Sequence, residues 1–248
     1  MAERIDRTNH SLVKDFVKLK TNKKYRHEQG LLILEGKKTI TEVCAKFPAE
    51  TLLVCNGEKI DQSIKYKRLI YVSREVIEKI STMKNPENII AVVPFPQSKL
   101  NEDIKKILVL DGIADPGNAG TLIRTALAFG WQAVVFLNNS VDPFNDKTVR
   151  SAKSSLYYTH IFSWTIDELL TFSQEKNIPL WVADLNGQPF DSIVKPQKMI
   201  LVLGNEAHGP SQTLINQGHV LTIPINPIAE SLNVAMAGSI LLQRFGCK

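Results

Sequence analysis

Between residues 107 and 223 lie five short segments that are apolar at nearly every position: 107–110, 133–137, 180–183, 199–203 and 220–223. Helix-patterned stretches at 119–129, 165–176 and 231–245 are interleaved with them. A strand with one wet face alternates apolar and polar side chains, so a strand that is apolar throughout is covered on both faces. The pattern commits the C-terminal part of the chain to an α/β fold, a parallel sheet layered between helices.

The first 95 residues predict a smaller α/β unit. Strand candidates fall at 31–34, 51–55, 69–72 and 89–93. Residues 11–24 read as one basic amphipathic helix, with Leu12, Phe16 and Leu19 on its apolar stripe. A second helix over 37–46 turns Ile40, Val43 and Cys44 inward. A third over 73–83 does so with Val76, Ile77 and Ile80 and takes Ser73 as its N-cap. Pro94-Phe95-Pro96-Gln97-Ser98 then makes a stiff, extended connector. The expected division is a domain at 1–95 and another at 101–248.

Charge is unevenly distributed. Of the residues up to Lys38, ten are cationic and five anionic, an excess equal to the +5 of the whole chain. A basic arm beside a near-neutral remainder suggests a polyanionic partner such as nucleic acid; the bland alternative is a solvated helix face. Cys44, Cys55 and Cys247 form no CxxC pair, which argues against a zinc site or a disulfide framework and fits a reducing cytosol. No apolar run approaches the roughly 20 residues of a membrane span, and the charged N-terminus is unlike a secretory signal. The clustered ligands of a metal site are missing.

Three segments carry candidate chemistry. The first, LDGIADPGNAGTLIRTALAFG at 110–130, runs from a strand through a Gly- and Asn-rich loop into a helix. Leu122, Ile123, Ala126 and Leu127 supply that helix's buried face, and Arg124 lies off it in the first turns, where a cation opposes the helix dipole. The loop offers backbone amides to a ligand, yet it contains neither GxGxxG nor GK[ST]. The second, MILVLGNEAHGPS at 199–211, ends an apolar strand in Gly204, Asn205, Glu206 and His208. Ligands of open parallel sheets bind beyond such strand ends; a polar turn is the structural alternative. The third, LTIPINPIAESLNVAMAGSILLQRFG at 221–246, leads through Glu230, Ser231, Leu232 and Asn233 into a helix rich in small residues, with Ser231 as a candidate cap. That helix would serve equally as a core or a dimer helix.

Together these segments resemble the SpoU/TrmH branch of the SPOUT RNA methyltransferases. NAGTLIR matches the family's NxGxxxR through Asn118, Gly120 and Arg124. Gly204, Asn205, Glu206 and Gly209 match its G-[SN]-E-x-x-G, and IPINPIAESLNVA matches its third motif. The N-terminal part is similar to the ribosomal-protein-like RNA-binding module of related enzymes, through Asn9, Lys14, Lys24-Tyr25-Arg26 and Glu35-Gly36. The likeness covers nearly the whole chain. It departs at 141–162, where Pro143, Asn145, Lys147 and Arg150 fit but Ala152 replaces a serine and Ser154 a glycine.

The resemblance implies a C-terminal trefoil knot, S-adenosylmethionine as cofactor and RNA 2′-O-ribose methylation as activity. It implies a cytoplasmic homodimer in which Arg124 of one subunit approaches the other's cofactor. Arg124, Asn118, Glu206, Ser231 and Asn233 would then form the catalytic group. Leu203, Gly204, Ile223 and Leu232 would hold the cofactor, and Asn9, Lys14, Lys24 and Arg26 would bind RNA. A guanidinium stays protonated, so Arg124 is expected to hold a phosphate or stabilise a developing alkoxide rather than take a proton. Ribosomal RNA is preferred as substrate, with transfer RNA as the alternative. A non-catalytic RNA-binding relative would lack one motif, and a nucleotide-dependent oxidoreductase would carry GxGxxG.

Overall fold

The computed structural model describes residues 3–99, 104–137 and 139–246, so Cys247 and the expected domain start at 101 lie outside the described residues. The chain forms two compact units. One comprises Met1–Phe95 and takes back Phe144–Ser154; the other comprises Pro96–Pro143 and Ser155–Lys248.

In the first unit, β1 (Glu3–Ile5), β4 (Tyr66–Val72) and β3 (Ala49–Cys55) run parallel, and β5 (Ile89–Pro94) is antiparallel to both β3 and β2 (Leu31–Glu35). The sheet order is β1-β4-β3-β5-β2. Helices α1 (Ser11–Thr21) and α4 (Arg74–Ile80) pack Val13, Phe16, Leu19, Val76, Ile77 and Ile80 onto one face. Helix α3 (Lys37–Cys44) buries Ile40, Val43 and Cys44 against β2 and β5.

The single helix expected over 11–24 is broken. Asn22 adopts an extended backbone (φ −115°, ψ 107°), and its side chain accepts from the Tyr25 amide to start α2 (Lys23–Gln29). A short amide side chain competes with helical bonding in this way and favours caps over helix interiors. The buried stripe of α1 starts at Val13 rather than Leu12. Ser73 stands at the N-cap position of α4 but makes no capping bond; its hydroxyl donates to the Asp6 carbonyl instead.

The segment 144–154, which the sequence assigns to the second domain, packs with the first unit as helix α6 (Asp146–Ala152) and the turn after it. The Arg150 guanidinium bonds Asp146 at 2.8 Å and the Thr82 hydroxyl, and approaches Glu35 at 4.0 Å. Ser154 donates to Glu42 at 2.7 Å, a contact that glycine could not make. Ala152 is fully buried, where a serine hydroxyl would need a partner. Lys153 takes a left-handed φ of 53°.

The second unit is a six-stranded, all-parallel sheet in the order β11-β9-β10-β6-β7-β8. Its strands are β6 (Lys106–Asp111), β7 (Ala133–Leu137), β8 (His160–Trp164), β9 (Leu180–Pro189), β10 (Met199–Gly204) and β11 (His219–Thr222). Helices α7 (Ile166–Lys176) and α8 (Gln212–Gln217) cover one face through Leu169 and Leu214. Helices α5 (Pro116–Ala128) and α9 (Val234–Phe245) pack against each other. At their contact, a Cβ on Gly238 would stand 2.4 Å from Leu122 Cδ2 and 2.7 Å from Leu203 Cδ1, so a larger residue there would make these buried leucines shift. Helix α5 starts three residues earlier than the pattern suggests, with Pro116 at its first position and Asp115 capping the Asn118 amide at 2.8 Å. Arg124 therefore lies in the third turn, beyond the reach of the N-terminal dipole.

Candidate active site

Because β6, β10, β9 and β11 are parallel neighbours, their carboxyl ends open onto one edge of the sheet. The three motif segments, far apart in sequence, meet there. Asp111 ends β6 and is 1% exposed; its Oδ2 accepts from the Ser211 amide at 2.6 Å and hydroxyl at 2.5 Å. One residue on, the Gly112 carbonyl accepts from Asn205 Nδ2 at 2.7 Å. Asn205 Oδ1 in turn accepts from the Ala207 and His208 amides, and Asn205 and Gly209 exchange both backbone bonds. Three hydrogen bonds thus pin the loop after β10 to the end of β6 and the residue after it, and the others stiffen the loop itself.

The loop closes tightly. A Cβ on Gly204 would lie 2.0 Å from Pro210 N and 2.3 Å from the Gly209 carbonyl carbon, so only glycine permits the approach. Gly209 itself takes φ +70°.

Glu206 links two parts of the site. Its Oε1 accepts from Asn118 Nδ2 at 3.0 Å and its Oε2 from the Ala114 amide at 3.3 Å. Asn118 Oδ1 accepts from Asn233 Nδ2 at 3.3 Å. A chain Glu206–Asn118–Asn233 therefore joins one residue from each motif. Partial burial is the largest single influence on the Glu206 carboxyl and pushes it up. The Asn118 side chain and the amides of Glu206, Ala114 and Asp115 together outweigh it and hold the group below its ordinary value. Glu206 is thereby an anion and an acceptor at neutral pH.

Beside this chain lies a cavity of about 590 Å³, walled by the middle of β9, the carboxyl ends of β10 and β11, the 204–210 loop, the 230–232 stretch and α9. Leu203, Gly204, Ile223, Leu232, Ser231 and Glu206 all line it. Asn118 and Asn233 stand behind Glu206. The volume is that of a small-molecule or cofactor site, about 300–1,000 Å³. Its walls combine Leu203, Leu221 and Leu241 with the carboxylates of Asp184, Glu206 and Glu230, and no lysine or arginine among the described residues lines it. That chemistry suits a ligand with a flat apolar group and positive charge, which S-adenosylmethionine carries.

Two sequence expectations change, those for Ser231 and Arg26. Ser231 does not cap α9; Asn233 does, accepting from the Ala235 and Met236 amides at 2.9 and 3.3 Å, and Ser231 lies before the helix on the cavity wall. Arg124 is exposed and makes no hydrogen bond or ion pair with the described residues. Six residues from Asn118, it is roughly 120° around the helix and about 9 Å along it, so it faces away from the Glu206 chain. Arg26 is 4% exposed, and its Nη1 donates to the Leu19 and Lys20 carbonyls at 2.7 and 3.1 Å. It closes the C-terminal turn of α1 and is too deep to meet a polyanion. Asn9, Lys14 and Lys24 are exposed as a nucleic-acid surface requires. Asp184 and Leu185 line the cavity without belonging to any motif. The rule that ligands sit beyond strand ends would have pointed to Asp184.

Comparison with known proteins gives concordant findings. Residues 105–243 match the model of the SpoU rRNA Methylase family, and residues 10–91 match the MRM3-like substrate binding domain. The chain is 31% identical over 245 residues to the 23S rRNA (guanosine(2553)-2′-O)-methyltransferase RlmP of Bacillus subtilis, covering 97% of this chain and 98% of that one. It is 26% identical to the 23S rRNA (adenosine(1067)-2′-O)-methyltransferase of Streptomyces laurentii, over 80% of this chain and 74% of that one. Among solved structures, the AdoMet-bound rRNA methyltransferase from Sinorhizobium meliloti superposes with a TM-score of 0.88 at 25% identity, over 98% of this chain and 97% of that one.

Proposed function

This chain belongs to the SpoU rRNA Methylase family, and from that premise we propose that the cavity holds S-adenosylmethionine while Glu206, Asn118 and Asn233 orient the acceptor ribose of a ribosomal RNA. The activity is S-adenosylmethionine-dependent RNA 2′-O-ribose methylation. One observation carries the site assignment: Glu206 both lines the cavity and anchors the hydrogen-bonded chain that unites all three motifs. The two relatives' 23S rRNA substrates, and the match of the N-terminal unit to a substrate binding domain, favour ribosomal over transfer RNA.

The cofactor, when bound, supplies an electrophilic methyl group on a cationic sulfur. The chain must then hold a ribose hydroxyl about 3 Å from that carbon and in line with it. Glu206, ionised and tied on both oxygens, positions a hydroxyl by accepting from it; a carboxyl held below its ordinary value is a poor general base at neutral pH. A group that stabilises the alkoxide lowers the barrier without taking the proton itself. Arg124 suits that role but faces away from its own Glu206. A homodimer resolves this by supplying Arg124 from the partner subunit. Met236 and Ile240, 57% and 39% exposed, lie one turn apart on α9, and with Leu232 just before the helix, 38% exposed, they offer an apolar stripe that such an interface would cover. The basic surface with Asn9, Lys14 and Lys24 would hold RNA, in the cytoplasm.

Mapping 2′-O-methyl sites in total RNA with and without the gene tests the reading; no changed ribosomal site would sink it. Arg124→Ala should retain S-adenosylmethionine binding by calorimetry and lose methyl transfer. Mixing it with an Asn118→Ala variant should restore part of the activity if the two residues act across an interface.

A further inference from the structure

We propose that Asp184 makes the cavity favour the charged methyl donor over its neutral demethylated product. This rests on the assignment of the cavity to the cofactor. Among the described residues, four ionisable side chains line the cavity: Asp184, Glu206, His208 and Glu230. Glu206 has both oxygens engaged by Asn118 and Ala114. Glu230 is exposed to water, which screens it.

Asp184 differs from both. It is half-buried midway along β9, directly after the stretch that pairs with β10, and its Oδ1 accepts from the Asn186 amide at 3.0 Å and from Asn186 Nδ2 at 3.2 Å. That turn fixes the carboxylate. Its Oδ2 accepts no hydrogen bond from the described residues and lies 3.7 Å from where a Cβ on Gly209 would stand. Asp184 and Gly209 both line the cavity, so an oriented carboxylate with one open oxygen faces the 204–210 loop.

A sulfonium and an ammonium against one carboxylate give the methyl donor a net charge of +1. On transfer, the sulfur–carbon bond breaks and its electron pair stays on sulfur. A carbon–oxygen bond forms at the ribose, whose hydroxyl proton passes to solvent. The thioether product is neutral overall, so the attraction to Asp184 falls once the reaction is complete. Asp184 thereby strengthens donor binding and leaves product release unhindered.

Calorimetry of the full-length protein with S-adenosylmethionine and with S-adenosylhomocysteine tests this. Asp184→Asn should weaken the donor about fivefold, the size expected for unit charges several ångströms apart in a half-solvated cavity, and change product affinity less than about twofold. An analogue bearing an ammonium in place of the sulfonium should follow the donor. Raising salt should narrow the wild-type preference more than that of the variant. Equal weakening of both ligands would overturn the proposal, because Asp184 would then grip a part they share. No change in either, or an ammonium analogue that follows the product, would overturn it as well. Wild-type protein that binds neither ligand would instead overturn the cavity assignment on which the proposal stands.

Discussion

Gly204→Ala is the sharpest test of the loop that closes the cavity. The added methyl would stand 2.0 Å from Pro210 N, 2.3 Å from the Gly209 carbonyl carbon and 2.5 Å from Pro210 Cα, all backbone atoms. Reaching an ordinary contact of 3.4 Å requires the loop to recede by about 1.4 Å. Ser211 follows Pro210 directly, so this movement strains its two bonds to the buried Asp111 carboxylate. Overpacking costs about 1–3 kcal/mol, and losing a bond to a charged group about 1.5–3 kcal/mol more. The expected destabilisation is about 3–5 kcal/mol, with S-adenosylmethionine affinity falling more than about tenfold. Trp131, Trp164 and Trp181, the three tryptophans of the chain, all lie in the second unit, so their fluorescence during urea unfolding reports that unit alone. Gly209→Ala is the control: φ is +70° there, but the new methyl meets only Asp184 Oδ2 at 3.7 Å. It should cost about 1–2 kcal/mol, the backbone penalty without overlap. Equal effects of the two substitutions, or a Gly204→Ala protein with wild-type midpoint and cofactor affinity, would refute the steric reasoning.

Three further outcomes are expected. The Glu206 carboxyl sits below its ordinary 4.5, so its bonds to Asn118 and Ala114 are intact above about pH 4.5 and weaken as the pH falls through the lower folded value. Affinity for S-adenosylhomocysteine, which Asp184 affects little, should show an acid-side loss that Glu206→Gln lacks, and a Gln variant with the same acid limb would contradict this. Arg26→Ala should destabilise the first unit by about 2–3 kcal/mol through the freed carbonyls of α1, whereas Lys24→Ala should leave thermal stability unchanged and make RNA binding less salt-sensitive; filter binding at several salt concentrations and a melting curve separate them. Burial pushes the Cys44 thiol up to about 11, so alkylation at pH 8 should be slow in the folded protein and fast in urea; rapid labelling of native Cys44 would contradict its burial.

Regular elements were legible wherever local pattern and tertiary environment agree. The continuously apolar strands β6, β7 and β10 are buried on both faces, as their composition demands, whereas β9 and β11 bury only some of their positions. Helix α6 and strand β8 were missed for a physical reason. The first is a short polar helix held by Arg150 and Ser154 contacts to distant residues, and the second is an edge strand with only one neighbour. The break at Asn22 is a local competition between side chain and backbone that periodicity cannot weigh. Arg26 reads as a surface cation in any window, and only the fold of α1 over α2 buries it.

For the site, the sequence by itself determined which residue types are available and that they sit in loops at strand ends. The spacing of Asn118, Glu206 and Asn233 along the chain contains nothing of their hydrogen bonds. Those bonds exist because β6 and β10 are adjacent and α9 packs on α5, an arrangement set by burial of Leu122, Leu203 and Gly238. Tertiary structure also decided that Asp184 faces the cavity, that Arg124 turns away from it, and that Asn233 rather than Ser231 starts the last helix. Periodicity along one chain fixes which face of an element is apolar; which elements become neighbours is decided by long-range packing of those faces.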